Sequence, residues 1–205
     1  MLLTIFSLVV LFFSIVIHEI AHGSVASSLG DSTAKDSGRL TLNPLKHIDP
    51  FGTIVLPALL LLFTFGRGPI FGWAKPVPVN PFNLRDQKWG MLKVSLAGPA
   101  TNFLLAIIFG LLIRFIALPQ SLALLFGIIS VYNFAWAIFN LIPIPPLDGS
   151  HILFTFLGSR FSDFRILLQR YSLFILLLFV FFGLDIVFKG ASSLYVLVAG
   201  VPFSI

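Results

Sequence analysis

The residues best suited to chemistry form the motif HEIAH at positions 18–22. On a helix, side chains four positions apart lie on one face, about 5–6 Å from each other, so His18 and His22 can present their imidazoles to one ion. Two neutral imidazoles suit zinc, which in catalytic sites takes a third protein ligand and leaves a fourth position for water. Glu19, next to the first histidine, can take a proton from such a water.

The motif continues a segment that is apolar enough to lie in a bilayer. Residues 2–17 carry no charge, and Glu19 is the only glutamate in the chain. An ionisable group at that depth costs about 2.5–3.5 kcal/mol on insertion scales, and those that persist usually carry function. The alternative is a pair of core histidines that flank a surface glutamate, and the apolar surroundings disfavour it.

Asp148 is the predicted third ligand. It lies in NLIPIPPLDG at 140–149, where three prolines break a helix at membrane depth. To meet the histidines, the helix before Asp148 must run parallel to the first helix, which requires one full span between them. The stretch 91–113 fits that span by length, so the shorter stretch 50–66 is predicted to be re-entrant or shallow. The alternative for Asp148 is a helix-end aspartate in water.

Two other histidines compete as ligands. His151 lies one helical turn beyond Asp148 and can equally be an interfacial side chain. His47 is interpreted as a loop residue or as a group that supports a ligand.

The composition excludes an ordinary soluble domain. Of 205 residues, 58% are hydrophobic and 10% are charged, whereas about 25% are charged in soluble proteins. A soluble zincin-like peptidase is therefore excluded. The chain has no cysteine, which rules out a disulfide framework, a thiol nucleophile and a cysteine-type zinc site.

The predicted fold class is an all-α polytopic membrane protein. It has about five to six membrane segments, one of them re-entrant, with short extended or β loops near the active site. A single domain over 1–205 is expected to divide into a motif helix (1–29), a loop and re-entrant segment (30–90), core helices (91–158) and C-terminal helices (159–205). Within these parts, spans are predicted at 91–113, 121–141 and about 167–188, and a short strand at 39–42. The stretch 190–205 is too short to assign.

The charge pattern predicts the orientation. In the predicted topology, 11 of the 13 Lys and Arg residues share the face that carries the motif, which leaves Arg114 and Lys189 opposite. The positive-inside rule then places the active site toward the cytoplasm, in the cytoplasmic membrane of a bacterium or archaeon. The start lacks a basic region and a cleavage site, so we expect no secretory signal. The expected partners are the lipid bilayer and transmembrane protein substrates, and no nucleic acid.

Four stretches resemble the site-2 protease family of intramembrane zinc metalloproteases. They are HEIAH at 18–22, GWAKPVPVNP at 72–81, SLAGPATN at 95–102 and NLIPIPPLDG at 140–149. The resemblance implies that His18, His22 and Asp148 hold one zinc ion per chain, with Glu19 as the general base. It also implies that Asn102 and Asn140 line the site and contact the substrate backbone or the oxyanion. The alternative for both asparagines is hydrogen bonding between helices.

The function implied is hydrolysis of peptide bonds within or near transmembrane segments. A zinc-activated water attacks the scissile carbonyl, with Glu19 as general base. A helical substrate must unwind first, and an extended segment at 39–42 or 73–79 is predicted to hold it by edge pairing. Residues 67–90 are too few for a PDZ or nucleotide-sensing domain, so we expect no gating by an attached domain.

Two other functions use the same residues. One is a metal-binding membrane transporter or sensor without peptidase activity, which would need a path of ionisable residues across the bilayer, whereas 91–113 has one charged residue, Lys93 near its start, and 121–141 has none. The other is a catalytically dead scaffold, which would not need Glu19.

Overall fold

The described residues of the computed structural model, 2–65, 74–158 and 161–203, form helices and no strand. In these ranges the α-helices are α1 (Leu2–Ser28), α2 (Thr33–Asp36), α3 (Leu56–Thr64), α4 (Gly90–Phe115), α5 (Gln120–Asn140), α6 (Asp148–Leu157), α7 (Ser162–Arg170), α8 (Ser172–Phe182) and α9 (Leu184–Ala199). The all-α class is confirmed for this part of the chain.

Three of these helices are long and apolar enough to cross a membrane. They are α1, α4 and α5, with 27, 26 and 21 residues. At 1.5 Å per residue each reaches at least about 30 Å, the thickness of the hydrocarbon core. The predicted spans at 91–113 and 121–141 correspond to α4 and α5. Counting α7 and α8 as one bent span gives at most four, whereas the sequence predicts five to six membrane segments.

The predicted span at 167–188 is wrong as a single helix. It is divided among α7, α8 and α9, and α7 and α8 meet at a bend of 63°. No residue of α7 is buried, and the helix carries Asp163, Arg165 and Arg170, so it presents charge on an exposed surface. The second break falls at Gly183. Hydropathy sums the apolar character of a stretch but does not register a change of direction.

The stretch predicted to be re-entrant is helical but short. A π-helical turn, Pro50–Val55, continues into α3. The carboxylate of Asp49 begins it by accepting from the N–H groups of Phe51 (3.1 Å) and Gly52 (2.7 Å). Its 6 and 9 residues reach about 22 Å, less than a bilayer core. Re-entry itself stays a prediction, and Gly66 lies outside the described residues.

The predicted strand at 39–42 is wrong. The N–H of Arg39 donates to the carbonyl of Ala34 at 3.0 Å, which closes the end of α2. The carbonyl of Thr41 accepts from Nε2 of His47 at 2.9 Å. These backbone groups are bonded locally, so no ladder forms. The segment 74–80 is neither helix nor strand, and it pairs with no strand in the described part of the chain.

The core lies around α5, which contacts α1, α4 and α9. Ser130 on α5 donates its hydroxyl to the carbonyl of Ala106 on α4 at 2.7 Å. The buried apolar side chains of this core come from α4, α5, α8, α9 and the turn before α6: Ala106, Val131, Phe134, Ala135, Phe139, Leu147, Leu176, Val180, Val187, Ala191, Tyr195 and Ala199. Large apolar side chains also cover the outside, such as Phe174 and Phe182 on α8, as a lipid-facing surface requires.

Candidate metal centre

Three metal-ligating side chains meet where α1, α4 and α6 come together. Nε2 of His18 lies 2.9 Å from Nε2 of His22. Oδ2 of Asp148 lies 3.0 Å from the first nitrogen and 3.2 Å from the second. His18 is 3% exposed and His22 is 8% exposed. The structure therefore brings the three predicted ligands together, and the parallel arrangement of α1 and α5 stays a prediction.

Each histidine ring is oriented through its other nitrogen. Nδ1 of His18 donates to Oδ1 of Asn102 at 2.7 Å, and Nδ1 of His22 donates to the carbonyl of Val94 at 2.7 Å. The orientation of the Asn102 amide is fixed because its Nδ2 donates to the carbonyl of Ser14 (3.2 Å) and to Oδ1 of Asn133 (2.8 Å). With the proton on Nδ1, both Nε2 atoms present lone pairs to the centre.

The three ligand atoms, two histidine nitrogens and one aspartate oxygen, are suited to bind a cation. Both Nε2 atoms and the carboxylate oxygen offer lone pairs but no proton to share, and Oδ2 of Asp148 is buried without a hydrogen-bond donor. Three such atoms within 3.2 Å repel one another unless a positive ion lies among them. Ligand atoms around a tetrahedral zinc ion are about 3.3 Å apart, and three protein ligands leave one position open, as in catalytic zinc sites.

Two glycines allow the helices to approach this closely. A Cβ on Gly98 of α4 would lie 2.5 Å from Cε1 of His18 and 2.5 Å from Nε2 of His22. A Cβ on Gly149 would lie 2.2 Å from the carbonyl oxygen of Leu141. The first glycine lets α4 pack on the imidazoles. The second lets α6 begin against the end of α5, which places Asp148.

Glu19 lies beside the centre and is held by a backbone N–H. Its Oε2 accepts from the N–H of Val77 at 2.8 Å. Pro76 and Pro78 have no N–H, so Val77 supplies the one donor of this tripeptide. Val77 is 7% exposed, which fixes the segment on the site.

The segment that contains Val77 has few free N–H groups for a partner strand. The N–H of Lys75 donates to the carbonyl of His47 at 2.9 Å, and the N–H of Asn80 donates to Oδ2 of Asp31 at 2.7 Å. In this structure, residues 75–78 therefore have no free N–H that could pair with a substrate strand. The predicted role of 73–79 in pairing stays a prediction, and residue 73 lies outside the described residues.

Asn140, His47 and His151, which the sequence analysis also singled out, are not among the three metal-ligating residues. Asn140 is 7% exposed and donates to the carbonyl of Trp136 within its own helix at 2.9 Å. His47 is fully buried and donates to Thr41. His151 is half-buried on α6. Neither of these two histidines belongs to the metal-ligating group. Contact of Asn102 or Asn140 with substrate stays a prediction.

Sequence reasoning missed two neighbours of the site. Asn133 on α5 is 1% exposed and accepts from Asn102. The ring of Trp136 lies edge-on to that of His18, with 6.3 Å between centroids. An asparagine within an otherwise apolar helix is a usable signal, because polar groups in membrane helices commonly bond to other helices. Which helix it faces cannot be read from the sequence.

Comparison with known proteins gives the family. Residues 116–181 match the model of peptidase family M50. The chain is 42% identical over 154 residues to the Bacillus subtilis protein named "Putative zinc metalloprotease YwhC", covering 71% of this chain and 66% of that protein. It is 33% identical over 138 residues to "Putative zinc metalloprotease Rip2" of Mycolicibacterium smegmatis, covering 66% and 51%. "Zinc metalloprotease MJ0392" of Methanocaldococcus jannaschii is 24% identical over 156 residues, covering 75% and 35%. No solved structure matches the chain.

Apolar helices that gather two histidines and an aspartate define an integral membrane metalloprotein with a zinc site. Within that class, the chain belongs to peptidase family M50, and the resemblance to site-2 proteases is confirmed. The alignments span 66% of the Bacillus relative and 51% of the Mycolicibacterium relative.

Proposed function

We propose that the chain is an intramembrane zinc metalloprotease that hydrolyses peptide bonds within or near transmembrane segments. The observation that carries the proposal is the convergence of three lone-pair atoms, from His18 and His22 on the membrane-length helix α1 and from Asp148 at the start of α6. The names of the relatives support the same activity. The charge asymmetry of the sequence supports an active site that faces the cytoplasm.

Different residues of the chain would bind the metal and transfer the proton. His18, His22 and Asp148 would hold the metal, and a bound zinc ion supplies a water with a pKa near 7 and polarises a carbonyl. Glu19 accepts the proton of the attacking water as the oxygen bonds to the scissile carbon. Glu19 then delivers that proton to the amine nitrogen as the C–N bond breaks. The Val77 N–H holds the Glu19 carboxylate in place for both transfers.

The position of the centre favours substrates cut near a membrane boundary. His22 lies within the last two turns of α1, which ends at Ser28. A transmembrane substrate hides its carbonyls in helical hydrogen bonds, so the bond to be cut must first lose its helical structure. Residues near the end of a membrane helix lose their helical structure most readily, because the last turn already lacks part of its hydrogen bonds.

Purified protein in detergent with a single-pass membrane reporter tests the proposal. We expect Glu19→Gln to lose cleavage by about 10²–10⁴-fold, the usual contribution of a general base, while it retains bound zinc. Asp148→Asn should bind zinc more weakly, because it loses an anionic ligand. Zinc is quantified in each preparation beside the cleavage rate.

Two outcomes would contradict the proposal. A wild-type protein that binds no zinc would remove its basis. Zinc bound without cleavage of several reporters would favour the alternative, a metal-binding membrane transporter or sensor.

A further inference from the structure

A basic cleft lies between the loop after α2 and the segment 74–80. Its volume is about 470 Å³, and it is lined by Arg39, Lys46 and Lys75 together with Leu45 and Ile48. None of its described lining residues is acidic. Three cations around one concave space indicate an anionic ligand.

Arg39 is the buried end of this basic cleft. It is 8% exposed, and its guanidinium donates to the carbonyls of Lys46, Lys75 (2.9 Å) and Pro76 (3.2 Å). These acceptors are neutral, and its Nε is buried without a partner. The ion pairs found among the described residues include none of the three cations of the cleft. A buried charge without a counter-charge is costly, and an anion in the cleft would supply one.

The surroundings of the basic cleft suit a lipid. Leu45 is 72% exposed and Leu42 is 62% exposed at this loop, and Phe51, 55% exposed, follows at the start of the uncharged stretch 50–64. A small soluble anion gains nothing from such side chains, whereas a phospholipid places acyl chains beside its phosphate. Arg supplies forked donors and Lys supplies mobile point charges, and both bind phosphate.

We propose that the basic cleft binds the phosphate group of an anionic membrane lipid, with Arg39, Lys46 and Lys75 as its cationic contacts. The site is separate from the zinc ligands, and the proposal does not depend on peptidase activity. Lipid bound here would fix the segment 74–80, whose N–H groups donate to the carbonyl of His47 and to the carboxylate of Glu19.

Native mass spectrometry of the full chain, released from micelles doped with phosphatidylglycerol or phosphatidylcholine, tests the proposal. The cleft variant is Lys46→Gln with Lys75→Gln, and the control is Lys35→Gln with Lys88→Gln. All four lysines are exposed, so both variants remove the same charge from surface positions. The two cleft lysines would each contact the phosphate directly, at about 1 kcal/mol per contact, so we expect the cleft variant to bind phosphatidylglycerol about 30-fold more weakly, whereas neither control lysine lines the cleft. The control should stay near wild type.

Equal losses of phosphatidylglycerol affinity in the two double variants would overturn the proposal. They would show that the lipid is attracted by the positive charge of the whole surface and does not bind at the cleft. Wild-type protein that does not prefer phosphatidylglycerol to phosphatidylcholine would also overturn it. A competition arm with inorganic phosphate identifies the source of the ligand. Displacement of lipid by phosphate would show that the phosphate contacts suffice, and persistence of the lipid would show that its chains add to them. Either result supports the phosphate contacts, provided that the cleft variant is weaker.

Discussion

The amide of Asn102 connects the metal centre to the interior of the helix bundle. Its oxygen accepts from His18, and its nitrogen donates to Asn133 and to the carbonyl of Ser14. Asn102 is fully buried, so these bonds face no competition from water. Residues that orient a metal-ligating histidine typically change metal affinity by about 10–100-fold when they are removed.

We therefore expect Asn102→Ala to bind zinc about 10–100-fold more weakly than wild type. The loss follows because the His18 ring is no longer held with its Nε2 toward Asp148. Competition with a chromophoric chelator measures the affinity. Asn140→Ala is the matched control, since Asn140 donates only within its own helix at the described contacts. Equal affinities for the two variants would refute an orienting role for Asn102.

Gly98 leaves no room for a side chain beside the ligands. We expect Gly98→Ala to lose zinc binding or to fold poorly, because its Cβ would lie 2.5 Å from both imidazoles. Gly190→Ala on α9 is the control, since its Cβ meets only Ile138, at an ordinary 3.5 Å. For both variants, the zinc content measures metal binding and the Tm in detergent measures the stability of the fold. An unchanged zinc affinity in Gly98→Ala would mean that α4 is not pressed against the ligands.

At the scale of elements, Asp31 joins the end of α1 to the segment that precedes α4. It is fully buried, and its carboxylate accepts from the N–H of Thr33 (3.1 Å), the N–H of Asn80 (2.7 Å) and Nδ2 of Asn83 (3.0 Å). Burial alone would raise the pKa of this carboxyl, but the hydrogen bonds outweigh burial and lower the pKa of Asp31 below its ordinary value of 3.8.

A lowered pKa makes the contribution of Asp31 depend on pH. The stabilisation is fully present above the ordinary value of 3.8 and is lost as the pH falls through the lowered value. We expect Asp31→Asn to lower the Tm near neutral pH, by the equivalent of about 1–3 kcal/mol for a broken buried network. The difference from wild type should shrink as the solution becomes more acidic. Asp163→Asn, an exposed position, should show no such trend, and a constant difference for Asp31→Asn would contradict the assignment.

The elements that sequence reasoning predicted well are those specified by composition over a long stretch. The helices α4 and α5 are long stretches in which apolar residues predominate, and Pro143 follows the end of α5. The predictions at 39–42 and 167–188 were wrong because each depends on contacts outside the local sequence. A short alternating pattern predicts a strand only if a partner strand exists, and here the carbonyl of Thr41 bonds to His47. The bend between α7 and α8 depends on packing that hydropathy does not describe.

At the scale of the whole molecule, the three ligands were predictable because their residue types and positions carry the signal: two histidines four positions apart, and an aspartate after a helix broken by prolines. The structure places Oδ2 of Asp148 3.0 Å from Nε2 of His18. The contacts of Val77 with Glu19 and of Asn133 with Asn102 were not predictable. They join elements that are distant in the sequence, and nothing in the local pattern of either partner specifies the other.

The orientation of the whole molecule is open to direct measurement because the chain has no cysteine. We expect Lys189→Cys to react with a membrane-impermeant maleimide in intact cells, and Lys88→Cys to react only after the cells are permeabilised. The expectation follows from the positive-inside rule, with the centre toward the cytoplasm. The unlabelled wild type is the control. The reverse labelling pattern would place the centre on the outer face.

The indole of Trp136, 6.3 Å from the His18 ring, gives the molecule an optical property. Its Nε1 is buried and has no hydrogen-bond partner, so its emission depends on the neighbouring aromatic groups and on any ion among the ligands. The chain has three tryptophans. With the other two replaced by phenylalanine, fluorescence from a single native residue would report metal arriving at or leaving the centre in real time, without an added dye.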